Sequence, residues 1–222
     1  MAGRLRLAAT GVQDQWLSDE PQFSYFLMNF KRHTKFSIDV LENQFDGTVD
    51  FGNVVECRIP VDKGDLIKNM TLKVTLNDPT PDTTGNDTIW SPSIITHMIE
   101  YAELLIGGQP IERITGEYIY LYQQLHNTND DIDQTLYFLN GHGNILSYQG
   151  DYTYFLNLPF YFYRNSTLAI PTCALTKHIV EVKIKLRPLK EVIFNNGLPY
   201  DIPDGLQGSI RTMSIDTDFV YL

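Results

Sequence analysis

Little in this sequence can hold a metal or drive covalent chemistry. Its 222 residues include two cysteines, Cys57 and Cys173, too few for a disulfide framework and not spaced as a zinc knuckle. Both are expected to be free thiols in a reducing compartment. The five histidines are His33, His97, His126, His142 and His178. None lies two or four residues from another, the spacings at which one strand or helix offers two imidazoles to a metal. The nucleophile elbow G-x-S-x-G, the phosphate-cradling G-x-x-x-x-G-K and the dinucleotide fingerprint G-x-G-x-x-G are all missing. No catalytic residue, metal ligand or cofactor is therefore assigned, and an enzyme is not expected.

Positive charge is scarce as well. Seventeen Lys and Arg stand against 27 Asp and Glu, a net charge of −10. Direct nucleic-acid binding is not expected, because it depends on basic groups neutralising phosphates. Long apolar runs are also absent. The longest, around 160–163, is far too short to cross a bilayer, and the first sixteen residues carry two arginines without the apolar segment of a signal peptide. Neither secretion nor membrane insertion is expected, so the N-x-[ST] sequons at Asn69, Asn86 and Asn165 are read as chance matches. The acidic cluster Asp130, Asp131 and Asp133 lacks the glycine and the distal glutamate of a calcium loop. It is read as a solvated turn after a helix, with calcium binding or acid–base chemistry as the alternative.

What the chain does have is strand periodicity. LIKNMTLKVTL (66–76) sets Met70, Leu72, Val74 and Leu76 on one face and Asn69, Thr71, Lys73 and Thr75 on the other. IVEVKIKLR (179–187) alternates likewise, with Val180, Val182, Ile184 and Leu186 inward, so its Lys/Arg row reads as a solvated sheet face. RTMSIDTDFVY (211–221) places Met213, Ile215, Phe219 and Tyr221 opposite Ser214, Asp216 and Asp218. Shorter strands are expected at 35–45, 48–59, 99–106 and 152–163. Asp46-Gly47 breaks two alternating runs within 32–53 and predicts a hairpin there, as Gly107-Gly108 does after YAELLI.

Two helices interrupt the pattern. Thr115 can cap a segment whose Tyr118, Leu121, Tyr122 and Leu125 form a stripe that would pack on a sheet edge or end. A shorter turn is expected over 92–98. Residues 77–88 read as an exposed acidic loop. The aromatic run DYTYFLNLPFYFYRN (151–165) fits either a thick core or an inter-subunit contact. About eight antiparallel strands with long excursions and a short inserted helix define an all-β sandwich of jelly-roll type. The boundaries expected are an N-terminal arm over 1–34 and a jelly-roll domain over 35–222.

A connected series of residues carries a family resemblance: Gly11, Gln13-Asp14, Pro21, Tyr25-Phe26, Arg32-His33-Thr34, Phe36, Phe45 and Asp50-Phe51-Gly52. It continues through GDLIKNMTLKVTL, IEYAELLIGGQPIERITGEYIYLYQQL, LPFYFYRNSTLAIPTCALTKHIVEVKIKLRP and DTDFVYL. Nearly the whole chain resembles the start of the major capsid proteins of nucleocytoplasmic large DNA viruses, a group that includes iridoviruses, phycodnaviruses and mimivirus-like giants.

The resemblance implies the first of two consecutive jelly rolls in a protein whose trimers form pseudo-hexagonal capsomers of an icosahedral shell. The chain stops where that family enters the linker to its second jelly roll, so a fragment or a split chain is expected. It further implies a structural protein of the virion, assembled in host cytoplasm. Its partners would be copies of itself, neighbouring capsomers, minor capsid proteins and the internal membrane under the shell. The arm would run beneath the shell and make those contacts, with Arg4, Arg6, Gln13, Trp16, Tyr25, Phe26, Lys31, Arg32 and His33 as contact candidates; Lys35 adds to its basic end. The alternatives are a minor capsid, penton or scaffold protein of related fold, a jelly-roll carbohydrate-binding module, and a cupin-type enzyme.

Overall fold

The computed structural model describes residues 35–77, 88–126, 152–175, 177–195 and 209–222. The chain divides into two units, Met1–Lys35 and Phe36–Leu222, and every element below belongs to the second. Eight strands make its two main sheets: β1 (Ser37–Gln44), β2 (Val54–Ile59), β3 (Leu66–Leu76), β5 (Ile99–Ile106), β6 (Gln109–Thr115), β7 (Tyr152–Asn157), β9 (Val180–Leu186) and β11 (Ile210–Tyr221). Three short strands supplement them: β4 (Thr88–Trp90), β8 (Ile170–Pro171) and β10 (Ile193–Asn195).

One sheet has the order β1-β11-β3-β7 and the other β2-β9-β5-β6; β8 adds to β3, and β4 pairs with β10. Every pairing is antiparallel. The first main strand pairs with the last, the second with the seventh, the third with the sixth and the fourth with the fifth. That nested order is a jelly roll, in which a long antiparallel ribbon is rolled into two facing sheets.

Alternation places the core between the sheets. Met70, Leu72, Val74 and Leu76 of β3 face Val180, Val182, Ile184 and Leu186 of β9, and all eight are fully or almost fully buried. Each such side chain contributes roughly 1.5–3 kcal/mol from the loss of apolar surface to water. Asn43 and Thr217 are the polar exceptions on the inner face. Asn43 Nδ2 donates to Thr217 Oγ1 at 3.1 Å and to the Ile215 carbonyl at 3.4 Å, so neither is left unsatisfied in the core.

Four expectations need correction. The Asp46-Gly47 break is not a hairpin, because β1 pairs with β11 and β2 with β9. Each run has its own inward row, Leu41, Asn43 and Phe45 in one case and Val55, Cys57 and Ile59 in the other, and the rows serve opposite sheets. The connection crosses between them. It keeps a single bridge, Asp46 N–H donating to the Glu56 carbonyl at 2.8 Å, and turns at Gly47 and Gly52, whose φ values of 84° and 82° suit glycine. The strand expected at 48–59 accordingly starts only at Val54.

The strand expected over 152–163 ends at Asn157. Pro159 has no N–H for a ladder, and the chain turns through Leu158 and Phe160 into a short helix, α3 (Tyr161–Arg164). Tyr154, Phe160 and Phe162 go to the core, so burial within one domain accounts for the centre of the aromatic run. Tyr221, expected inward, is 37% exposed. A register shift at Asp218/Phe219 precedes it, and Phe219 is the last inward residue, set against Gly64, where an added Cβ would come within 2.8 Å of Phe219 Cβ.

The fourth correction concerns the long helix, here α2 (Gly116–His126); the short turn over 92–98 is α1 (Ile94–His97), and α4 is Leu189–Val192. Thr115 does cap α2, its Oγ1 accepting from Tyr118 N–H at 3.3 Å. The expected stripe does not pack inward, since Leu121 and Leu125 are 57% and 74% exposed. The helix docks instead through Gly116 and Ile119. A Cβ at Gly116 would meet the carbonyl oxygens of Thr96 and Ile99 at 2.3 Å, so close backbone approach fixes which face turns inward. Tyr118 and Tyr122 remain half-buried, Tyr122 meeting Tyr163 edge-on at 6.3 Å.

Candidate functional site

The contact candidates named from the sequence, Arg4, Arg6, Gln13, Trp16, Tyr25, Phe26, Lys31, Arg32 and His33, all lie outside the described residues, as do His142, Asn86, the 78–87 loop and the Asp130–Asp133 cluster. The described residues show instead two outer sheet faces of different chemistry. Across the β2-β9-β5-β6 sheet the register aligns Glu56, Lys183, Glu103 and Arg113 in one row of alternating sign. Lys183 Nζ lies 2.8 Å from Glu56 and Arg113 pairs with Glu103 at 2.5 Å while covering the Tyr101 ring at 4.2 Å. Arg58 bridges to Glu181 at 3.4 Å. The hydrogen bond to Glu56, with the Glu56, Glu181 and Glu103 charges, raises the Lys183 pKa. Exposed pairs of this kind add little stability, but they place an acidic partner beside Lys183 of β9.

The outer face of β1-β11-β3-β7 is not balanced in this way. Glu42 stands directly opposite Asp216, and Val40 opposite Asp218. Lys73 approaches Glu42 at 3.4 Å and Ser214 Oγ donates to it at 2.8 Å. Desolvation pushes the Asp216 carboxyl up; the Glu42 and Asp218 charges add to this and Lys73 opposes it. Like charges across a ladder are unfavourable. Beside them Ile38 and Val40 of β1, and Phe36 just before it, are exposed by 48, 56 and 50%. Towards β7 the face is hydroxyl and amide, with Thr71 Oγ1 donating to Asn157 Oδ1 at 2.7 Å and Thr75 bonded to Thr153 at 2.9 Å. The sequence offered a signal for this row in Phe36, Ile38 and Val40, but the opposite phase carries Leu41 and Phe45, and only the pairing with β11 decides which phase faces water.

At one end of the sandwich, α1, α2 and Arg187 border an open pocket of about 410 Å³, lined by Ser93, Thr96, His97, Glu117, Tyr120 and Leu121 among others. Arg187 is tied to Glu117 and, at 4.0 Å, to Glu191. His126 stacks on Tyr122 at 3.9 Å, while His178 lies against Gly107. The described histidines thus sit on separate elements, and no group of three or more His, Cys, Asp or Glu able to hold a metal occurs among the described residues. Likewise, no described helix is long and apolar enough to cross a membrane. Of the sequons, Asn69 hydrogen-bonds to Asn157 across the outer face, and Asn165 Oδ1 accepts from Thr167 at the start of a 3₁₀ turn.

Cys57 and Cys173 are both unpaired, the first buried and the second exposed. Burial, with the Asp46 charge adding, pushes the Cys57 thiol up to about 12, so it carries little of the reactive thiolate. A thiol reagent is expected to label one cysteine, Cys173, in the folded protein and both after unfolding. Rapid labelling of two in native conditions would contradict the placement of β2.

Comparison with known proteins joins these features. The model of the major capsid protein N-terminus family matches residues 24–222. The chain is 31% identical to capsid protein 1 of Acanthamoeba polyphaga mimivirus over 99% of its length and 39% of that protein. It is 30% identical to the major capsid protein of Paramecium bursaria Chlorella virus 1 over all of its length and 48% of that protein. The quasi-atomic capsid model of the same Chlorella virus contains a chain that matches with a TM-score of 0.70 at 27% identity, over 90% of this chain and 45% of that one. The chain therefore spans less than half the length of these relatives. With a nested eight-strand jelly roll and a family match over residues 24–222, the chain belongs to the major capsid protein N-terminus family.

Proposed function

We propose that the chain works as the N-terminal jelly roll of a double-jelly-roll major capsid protein, a structural component of an icosahedral virion. The observation that carries this reading is the match of one jelly roll, over 90% or more of its length, to less than half of each of these capsid proteins. Its role is then to present faces to other subunits; shells are built from repeated, symmetric contacts rather than clefts. Three copies of the complete protein form the pseudo-hexagonal capsomer, which contacts neighbouring capsomers, minor capsid proteins and the membrane beneath. Assembly takes place in host cytoplasm.

The register supports an orientation. The start of β1 lies opposite the end of β11, the start of β3 opposite that same end, and the ends of β2 and β5 opposite the start of β9. The start of β1 therefore lies at the end that carries the turns 60–65 and 107–108 and the connection 158–179. The connections 77–88, 126–152 and 195–210 leave from the other end. If the arm runs under the shell, the end that carries 60–65, 107–108 and 158–179 faces inward, and the α1/α2 pocket faces outward.

Light scattering on the complete gene product over a wide concentration range tests the reading. A trimer mass, with pseudo-hexagonal particles in electron micrographs, is expected. A strict monomer at every concentration would overturn it.

A further inference from the structure

The open pocket between α1 and α2 is a concave surface that assembly through outer faces leaves unused. Its volume of about 410 Å³ lies in the range of small-molecule sites, and its walls are held in place. Gly116 brings the start of α2 against the carbonyls of Thr96 and Ile99. On the α1 side Ser93 takes the left-handed conformation, with φ 56°, a costly one for a residue with a Cβ. The Ser93 carbonyl accepts from Thr96 N–H and His97 N–H, both at 3.0 Å, and from Thr96 Oγ1 at 2.9 Å. These three bonds hold the bend, so a ligand would meet a preformed site.

Two kinds of wall meet in the pocket. Tyr120 and Leu121, 38% and 57% exposed, make an apolar side. Glu117, Arg187 and His97 make a polar one. Glu117 and Arg187 are paired with each other, yet neither is saturated. The Glu117 side chain is 63% exposed, and a carboxylate accepts at about four positions. Arg187 Nη1 stands 4.0 Å from Glu191, beyond hydrogen-bond length. An acceptor and a donor therefore lie side by side, and the His97 ring is able both to donate and to accept.

Charge narrows the class of ligand. An anion would meet the Glu117 and Glu191 carboxylates against a single guanidinium, on a chain of net charge −10. A cation would have to displace Arg187 from Glu117. A wholly apolar molecule would strip water from that pair and return no hydrogen bonds. An uncharged ligand with neighbouring hydroxyls on one edge and a C–H face on the other meets every requirement. We propose that the α1/α2 pocket binds a neutral pyranose sugar, its C–H face against Tyr120 and Leu121 and two vicinal hydroxyls on Glu117 and Arg187. One hydroxyl donates to the carboxylate, and its neighbour accepts from the guanidinium. The proposal goes beyond the capsid reading and stands apart from it.

The test titrates the complete gene product with the methyl pyranosides of glucose, galactose, mannose, N-acetylglucosamine and fucose, followed by saturation-transfer NMR. Transfer to the ring protons of at least one, with millimolar affinity, is expected. Y120A and E117A are each expected to weaken that binding roughly tenfold, and L125A, on the same helix but outside the pocket lining, to leave it unchanged. All three positions are exposed, and unchanged urea midpoints would confirm that the fold is kept. A second comparison needs no variant. The uronic acid of the same ring, which adds only a carboxylate, is expected to bind the parent protein roughly tenfold more weakly than the neutral sugar. Absence of transfer to all five sugars, transfer that survives both Y120A and E117A, or tighter binding of the uronic acid would each overturn the proposal. Trimers that bind no sugar would sink the pocket assignment and leave the assembly reading standing; a strict monomer that binds sugar would do the reverse.

Discussion

Phe160→Ala is expected to remove about 3–5 kcal/mol of stability, the usual effect of emptying an aromatic site in a packed core. Phe160 is fully buried and stacks on Phe162 with ring centres 5.9 Å apart. Its surroundings have little freedom to collapse. The Phe160 N–H donates to the Leu158 carbonyl at 2.8 Å, and its own carbonyl accepts from Tyr163 at 3.0 Å and Arg164 at 3.2 Å. Glu112 pins the next residue, accepting from Tyr161 N–H at 2.7 Å while pairing with Arg164 at 2.5 Å. Since a domain's whole stability is about 5–15 kcal/mol, the loss is a large fraction of the total and should lower the unfolding midpoint markedly. Leu168→Ala, at a half-exposed position, serves as the comparison and should cost under about 1 kcal/mol. Urea midpoints measured side by side decide the matter. Equal losses would mean that the turn through Pro159 does not carry the aromatic run into the core.

Alkaline pH is expected to destabilise the protein through Cys57. The thiol's pKa is about 12 in the folded chain against an ordinary value of 9.0, so the folded state holds this proton more tightly. The stabilisation is complete below pH 9 and is lost as pH rises towards 12, because the unfolded chain releases the proton first. One group with unequal occupancy contributes a slope of about 1.4 kcal/mol per pH unit across that window. Tyr122 and Tyr161, both raised chiefly by desolvation, act in the same direction above pH 10. Comparing Cys57→Ala with the parent separates the contributions. The parent should be the more stable at pH 8, and its advantage should shrink steadily between pH 9 and 11. A difference independent of pH would show that the thiol ionises as freely in the folded chain as in the unfolded one.

The strands that were legible in the sequence are those with one buried face. β3 and β9 alternate cleanly because each lies inside a sheet, with an apolar row on the core and a polar row outside. Where apolar residues fall in both phases, as Phe36, Ile38 and Val40 in one and Leu41 and Phe45 in the other, or where a proline ends a ladder, as at Pro159, periodicity lost its meaning. The α2 stripe failed for a related reason. Leu121 and Leu125 have helical spacing, but the face that turns inward is chosen by the smallest residue, Gly116, which alone allows the backbone to reach the Thr96 and Ile99 carbonyls. The candidate surface was legible only in part. Its family series included Phe36, but the exposure of Ile38 and Val40 followed from pairing.

By itself, the sequence determined the all-β class, the inward rows of β3 and β9, the turn at Gly107-Gly108, the cap at Thr115 and the family. All of these depend on residues close together in the chain or on ordered blocks along it. Tertiary structure alone decided that Asp46-Gly47 lies on a crossing between sheets, that Glu42 faces Asp216, and that β1 turns an apolar row outward. The reason is range: Glu42 and Asp216, or Val54 and Lys185, meet across more than a hundred residues. Local spacing specifies which side chains share a face, but only the closing of the nested pairs specifies which face is buried and which charge stands opposite.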